Sequence, residues 1–387
     1  SDGAVQHQPT HAAHQQQIVV NKASSDGRVI DYSQNNLQIS AGVSLNGLAT
    51  SKTNAFTLDA RGVETLGIDV GQALIRISSY VSLQGSFSFQ KGGDEVVTIN
   101  TGLGDIGKVA GVISGFDDIL NDISALGGGI SFSSDYSMLS GVTVSTMTIG
   151  ASNIEVFVGV GGPYKQDFNW DEDSNGDGNN YNDWYYDIGA TGLVLEDVDF
   201  GMAITKTQTA VIDKLISGFT AISVTAQRVG IVGFSEDING NGVTDEYAVE
   251  DLNSNGILDE GEDKDGDGVL TFISEDSNSN GKLDSKFLFE GKDISFKFNN
   301  GKKWAGLIGP ATINFKESFK DFTEDTNGNG VLDLGEDRNL DGIINTEAFV
   351  VASGGDSAVY LDFESQILEV DVGLAQIQVS DFLYLRG

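Results

Sequence analysis

The 387-residue chain contains no cysteine, which excludes disulfides, thiolate metal sites and cysteine nucleophiles together. Its three histidines, His7, His11 and His14, lie in the first fourteen residues. The remainder has none for a Ser-His-Asp triad, a zinc-protease site or histidine acid–base chemistry. The i, i+4, i+7 spacing of the three can place them on one helix face around a metal, but their Gln-rich polar surroundings read as a loose tail. Basic residues are scarce, 22 Lys+Arg against 57 Asp+Glu, for a net charge of −35. Nucleic acid and anionic membrane surfaces both need a basic face, so neither is a partner, and cations are favoured instead. No apolar run approaches the roughly 18 residues of a membrane-spanning helix. The chain starts at Ser1 with neither Met nor a signal peptide and reads as a mature or trimmed fragment.

Against three prolines stand 50 glycines and many Asn/Asp, the composition of an all-β chain with many tight turns. Apolar residues alternate. Ile75, Ile77, Val81, Leu83, Phe87 and Phe89 take one parity, and Arg76, Ser78, Ser82, Gln84, Ser86 and Ser88 the other. This predicts a strand, or two joined strands, with the apolar face buried and the polar face wet. Two windows break the period: 105–126 has helical spacing and ends at Gly127–Gly129, and 208–219 reads as a second short helix. I-G-A-S-N-I at 149–154 is echoed by I-G-A-T-G-L at 188–193. The echo predicts the stacked rungs of a β-solenoid (parallel β-helix-like), with a β-sandwich as the alternative. The expected organisation is an extended or disordered arm over 1–35 and one elongated β domain over 36–387. Polar insertions are expected at 168–187, 237–287 and 321–347.

The insertions carry D-x-[DN]-x-[DN]-G seven times. Ca²⁺ is a hard cation that takes six to eight oxygens. In such a loop positions 1, 3 and 5 supply side chains, Gly at 6 makes the sharp turn, and 7 gives its carbonyl. Position 9 supplies a ligand or a water, and position 12 a carboxylate. The candidate ligands follow. The first loop offers Asp173, Asn175 and Asp177. The second offers Asp237, Asn239, Asn241, Val243 and Asp245. The third offers Asp251, Asn253, Asn255, Ile257, Asp259 and Glu262, and the fourth Asp263, Asp265, Asp267 and Val269. The fifth offers Asp276, Asn278, Asn280, Lys282 (through its carbonyl) and Asp284. The sixth offers Asp325, Asn327, Asn329, Val331, Asp333 and Glu336, and the seventh Asp337, Asn339, Asp341, Ile343 and Asn345. The loops at 251 and 325 have the fullest sets, and up to about seven Ca²⁺ ions are expected.

N-G-I-L-D-E-G-E-D-K-D-G-D-G at 255–268 and N-G-V-L-D-L-G-E-D-R-N-L-D-G at 329–342 resemble the tandem calcium repeats of thrombospondin type 3 and dockerin-like segments of secreted bacterial proteins. In those segments the acid that ends one loop opens the next. T-I-G-A-S-N-I-E-V-F-V-G at 148–159 is similar to repeats of giant bacterial surface proteins. The resemblance implies a secreted or cell-surface, calcium-stabilised structural or adhesive module of a surface layer, adhesin or filament. It implies calcium without cohesin binding. One expectation is end-to-end self-association, the extended arm Gln17–Ile30 adding to the open edge of a neighbour at Ile377–Leu385; the alternatives are that the arm folds back on its own body, or that the chain was cut from a longer protein whose next rung caps the edge. The alternative is a carbohydrate-active enzyme (a polysaccharide lyase or hydrolase) or a glycan-binding module using the aromatics of 168–187.

Overall fold

Alternating sequence with abundant β-branched residues builds long strands, and their backbone groups pair with neighbours on both sides. The computed structural model describes residues 16–21, 37–41, 54–58, 65–77, 80–103, 116–127, 129–166, 185–186, 189–216, 218–237, 243–248, 250–251, 257–258, 268–277, 279, 281–284, 287–301, 310–333, 336–339, 341–354, 357–380 and 382–387. The strands in the first half are β1 (Gln16–Asn21), β2 (Leu37–Ala41), β3 (Asn54–Leu58), β4 (Thr65–Ile77), β5 (Val81–Asn100), β6 (Ser131–Phe132), β7 (Met138–Val160), β8 (Lys165–Gln166) and β9 (Tyr185–Tyr186). Those in the second half are β10 (Thr191–Thr207), β11 (Phe219–Val232), β12 (Glu246–Ala248), β13 (Phe272–Ser274), β14 (Phe287–Gly301), β15 (Thr312–Asn314), β16 (Phe349–Ala352), β17 (Ala358–Leu361), β18 (Ile367–Val379) and β19 (Leu383–Arg386). Three short helices accompany them: α1 (Phe116–Leu126), α2 (Ala210–Leu215) and α3 (Phe315–Ser318). The all-β expectation therefore holds.

One 11-stranded sheet dominates, in the order β1-β4-β5-β7-β10-β11-β14-β18-β19, with β15 added on β5 and β6 on β7. Every ladder among the described residues is antiparallel. Stacked rungs of a parallel β-helix would pair parallel, so the expected solenoid gives way to an open antiparallel sheet. The sequence echo also finds a different place. Residues 149–154 sit in the middle of β7 and the described residues 189–193 of the second copy lead into β10, where Leu193 pairs with Val158 rather than with the β7 copy. The N-terminal segment folds back on its own body, Ile18 opposite Ile68 and Val20 opposite Leu66. That pairing is intramolecular, so β1 is not free to serve as a donor strand for a neighbour. The expected helices are found as α1 and α2, of which α2 is shorter than its window; residues 104–115 and 217 lie outside the described set.

Cross-strand register brings apolar residues into rows. Ile68, Phe89, Ile149, Met202, Ile222, Phe298 and Leu368 lie opposite one another across seven strands. This apolar face stays partly or fully exposed, up to Leu368 at 73%. The polar parity of β5 is the buried one: Ser82, Gln84, Ser86 and Ser88 face inward. The expected assignment of faces is thus reversed here. Alternation shows that two faces differ, and the tertiary packing selects which of them is covered.

Small polar residues are needed on the covered face because the β16–β17 hairpin lies against it at backbone distance. A Cβ at Gly150 would stand 1.9 Å from the Ala352 carbonyl oxygen, and one at Gly201 2.6 Å from a Val359 methyl. The Ser86 and Ser152 hydroxyls meet at 2.6 Å, and Ser152 donates to Ser353 at 2.8 Å, which satisfies these buried groups across the contact. Toward one end the same face is apolar: Val97, Ile99, Leu139, Val142 and Val144 pack with Ile123 of α1, Ile212 of α2, Phe315 of α3 and Leu361 of β17.

Toward the other end the side-chain parity switches. Asn153, Asp197 and Asp293 all have φ near +50°; Asn153 and Asp197 sit at the register breaks of the β5–β7 and β7–β10 ladders, whereas the β11–β14 and β14–β18 ladders keep their register past Asp293. Asn and Asp tolerate this left-handed conformation better than other L-residues. Beyond these positions, Glu155, Glu196, Arg228 and Glu290 point to the covered face with Phe157, Tyr164 and Val194. Arg228 bonds Glu196 at 2.7 Å and Glu290 at 2.8 Å, and Lys165 bonds Glu155 at 2.7 Å. The cavity between Ser82, Glu155, Tyr164 and Glu196 has room for about one water. Burial pushes the Glu155 carboxyl up to about 7 despite the Lys165 ammonium.

Two outcomes follow from this packing. Gly150→Ala should destabilise the fold by about 1–3 kcal/mol by forcing the hairpin off the sheet, read as a lower urea midpoint; an unchanged midpoint would show the contact to be loose. The folded chain keeps the Glu155 proton up to about pH 7, whereas the unfolded chain releases it near 4.5, so this group makes stability fall as pH rises between those values. Asp199, raised by burial to about 6, acts with the same sign over a lower range. Between pH 6 and 7 the slope, at most about 1.4 kcal/mol per unit, should therefore flatten in Glu155→Gln. An equal slope in both proteins would assign it elsewhere.

Candidate metal centre

Asp, Asn and Gly at fixed offsets form the calcium-type loops because short side-chain oxygens can take up the backbone N–H groups of a tight turn. The position-6 glycines Gly268, Gly281, Gly330 and Gly342 all have φ between +73° and +77°, the left-handed turn the motif requires. In three loops the N–H of position 6 donates to the carboxylate of position 1: Gly281 to Asp276 at 2.6 Å, Gly330 to Asp325 at 2.8 Å and Gly342 to Asp337 at 2.9 Å.

The loops at 325 and 337 are the most fully described. In the first, the Asn327 and Asn329 amides each donate to Asp333 at 2.8 Å, so positions 3, 5 and 9 converge. In the second, the Asn345 amide donates to Asp341 at 2.9 Å and to the Ile343 carbonyl at 3.1 Å, and Asn339 donates to Asp341 at 2.8 Å. Positions 3, 5, 7 and 9 therefore share one centre. Asp337 Oδ1 is buried and accepts no hydrogen bond, an orphaned anionic oxygen of the kind a cation satisfies. Each centre holds two Asp and two Asn, which suits a hard, oxygen-seeking ion. No group of three or more His, Cys, Asp or Glu side chains that could hold a metal gathers among the described residues. The donor set of these loops is accordingly half amide, and the Asn oxygens reach an ion by a flip of the side chain.

Glu336 is placed differently from the expected position-12 ligand. Its carboxylate accepts from the Thr326 amide at 3.0 Å, the Thr326 hydroxyl at 2.6 Å and the Asp333 amide at 3.0 Å. The Thr326 hydroxyl first, then the Asp333 amide, hold its carboxyl below the ordinary glutamate value. Val331 and Ile343, the position-7 residues, have exposed side chains, which leaves each only its carbonyl to offer an ion. Asp237, Val243, Asp245, Asp251, Ile257, Val269, Asp276, Lys282 and Asp284 are described; the remaining candidates of those loops lie outside the described residues. These are Asn239, Asn241, Asn253, Asn255, Asp259, Glu262, Asp263, Asp265, Asp267, Asn278 and Asn280, and Asp173, Asn175 and Asp177 of the first loop lie outside as well. The aromatic insertion is described only at Tyr185–Tyr186, paired with Lys165–Gln166.

Five glutamates escaped the motif reading: Glu172, Glu236, Glu250, Glu275 and Glu324. Together with the candidate ligands Glu262 and Glu336, they place a Glu immediately before each of the seven loops. Glu324 is 2% exposed and accepts from the amides of Arg338 and Asn345, both at 2.9 Å, and from the Tyr360 hydroxyl. Burial works to raise its carboxyl, but the bonds from Tyr360, Asn345 and Arg338 outweigh it and hold the group below its usual value. The recurrence of E-D ahead of every loop is the signal that marks these residues.

Broad antiparallel sheet with appended oxygen-rich loops is the class the structure defines. Comparison with protein-family models, with curated proteins and with solved structures finds no match.

Gly330 faces open space, so Gly330→Ala meets no clash but must hold φ near +75° at a cost of about 1–2 kcal/mol. The expected result is a chain that keeps its fold and binds calcium more weakly at this loop, measured by calorimetric titration. Wild-type affinity would show that the turn does not shape the site.

Proposed function

We propose that the chain is an extracellular calcium-binding structural or adhesive protein, a module of a surface layer, adhesin or filament whose loops are set by Ca²⁺. The observation that carries this is the shared loop geometry: a left-handed glycine at position 6 whose amide, in three loops, holds the carboxylate of position 1, with positions 3, 5 and 9 converging in the two best-described copies. Millimolar extracellular calcium matches sites of this kind, which bind at about 10⁻⁴–10⁻³ M. Without disulfides, bound ions take over the stiffening of the long polar insertions. Seven divalent ions would bring the formal charge from −35 to about −21 and relieve self-repulsion. A structural role is further supported by the partly exposed apolar row across the sheet and by the sheet's open strand order, which ends at β1 and β19.

The test is thermal unfolding in millimolar Ca²⁺, in EDTA and in EDTA with excess Mg²⁺. At tenfold over Kd each site adds about 1.4 kcal/mol, and seven independent sites on the order of 10 kcal/mol. A large loss of melting temperature in EDTA that Mg²⁺ does not restore is expected; identical melts after verified calcium removal would overturn the reading.

A further inference from the structure

The glutamates ahead of the loops reach across to other loops in one repeated pattern. Glu324, before the loop at 325, accepts from the amides of positions 2 and 9 of the loop at 337 (Arg338 and Asn345), and its own N–H donates to the position-9 carbonyl of Asn345 at 3.0 Å. Glu336, before the loop at 337, returns the same three bonds to positions 2 and 9 of the loop at 325: Thr326 N–H, Asp333 N–H and the Asp333 carbonyl. Glu236 accepts from the Ser277 hydroxyl and from the Asp284 amide at 2.9 Å, positions 2 and 9 of the loop at 276, and donates to the Asp284 carbonyl at 2.8 Å. Glu275 reciprocates to position 9 of the loop at 237, accepting from the Asp245 amide at 3.0 Å and donating to its carbonyl at 2.9 Å. Glu250 accepts from the Thr271 amide at 3.2 Å, position 9 of the loop at 263. The β12–β13 ladder joins the ends of the loops at 237 and 263 and so ties the two braced sets together.

We propose that these loops bind calcium as three coupled pairs, 325 with 337, 237 with 276 and 251 with 263, in which Glu324, Glu336, Glu236, Glu275 and Glu250 are positioning residues for the partner loop. The inference rests on the calcium reading and adds which loops act together and through which residue. The physical reason is that positions 2 and 9 bracket the ligand arc, so a carboxylate holding both amides fixes the partner's ligands before the ion arrives. Ordering position 1 of one loop also orders the Glu beside it, so the first ion lowers the ordering cost of the second. Coupling of this kind is reciprocal. The pairing is nested in sequence, since the pair 251 and 263 lies inside the pair 237 and 276, and spacing alone does not reveal it.

Glu324→Gln separates this coupling from a local effect, because Glu324 belongs to no ligand position of its own loop. In the full chain the amide signals of Gly330 and Gly342 are followed by NMR during a Ca²⁺ titration. Wild type should show both responding at one midpoint. In the variant the midpoint of Gly342, in the partner loop, should rise by about tenfold, the effect of losing charge-assisted hydrogen bonds. A shift confined to Gly330, or no shift at all, would overturn the pairing. Glu236 is half-buried, so Glu236→Gln serves as a second variant that keeps the fold if Glu324→Gln does not; it should shift Gly281 in the same way. If no wild-type glycine signal responds to Ca²⁺, the calcium reading itself fails. Amide exchange in EDTA then tests the brace alone: Asn345 should lose about tenfold protection in Glu324→Gln, and unchanged protection would overturn the brace too.

Discussion

Backbone pairing between antiparallel strands as long as 23 residues holds this molecule together, and the line of bulges that interrupts the pairing decides which side chains meet. On one side of Asn153, Asp197 and Asp293 the covered face presents Val142, Val144 and Ile99 to the helices. On the other it presents Glu155, Glu196 and Arg228. The left-handed residue at each of these positions, an inserted one in β7 and β10, reverses side-chain parity, so the same strand contributes to an apolar core and to a buried charge cluster without reversing direction. Displacing these bulges would expose one set or bury the other.

The covered face is filled by three kinds of contact. Apolar packing serves the end near the helices, close approach of backbone to glycine serves the middle, and ion pairs serve the far end. The middle needs small residues because the β16–β17 hairpin leaves no room for a Cβ at Gly150, and the serines there satisfy one another. The ion pairs are costly to bury and hold their places through mutual compensation, Arg228 between two glutamates. The opposite face keeps the apolar rows of Phe89, Ile149 and Met202, which gives the molecule a packed side of mixed polarity and an apolar, open side.

The insertions follow a separate logic based on backbone amides and carboxylates. Within a loop the first Asp holds the amide of the glycine at position 6. Between loops a Glu holds the amides at both ends of the partner's ligand arc. With no disulfide and little apolar content, these charge-assisted bonds are what shapes the segments, and they leave the buried Asp337 Oδ1 without a hydrogen-bond partner.

The sequence alone determined the strand-forming alternation, the short helices near α1 and α2, and the loop motif down to the glycine at position 6, because each depends on residues within a few positions of one another. Strand direction, the choice of covered face and the partner of each loop were decided by tertiary structure. Alternation at 75–89 is the same whether the serines or the phenylalanines are packed, and only the arrival of the β16–β17 hairpin, more than 250 residues later, selects the serines. The short echo at 149–154 and 188–193 suggested rungs, but pairing depends on register over whole strands, and register set those two segments at different heights. The E-D dipeptide before each loop was present in the sequence throughout. Its role was illegible there because Glu324 acts on Arg338 and Asn345, and Glu236 on Ser277 and Asp284, across separations that only the folded chain closes.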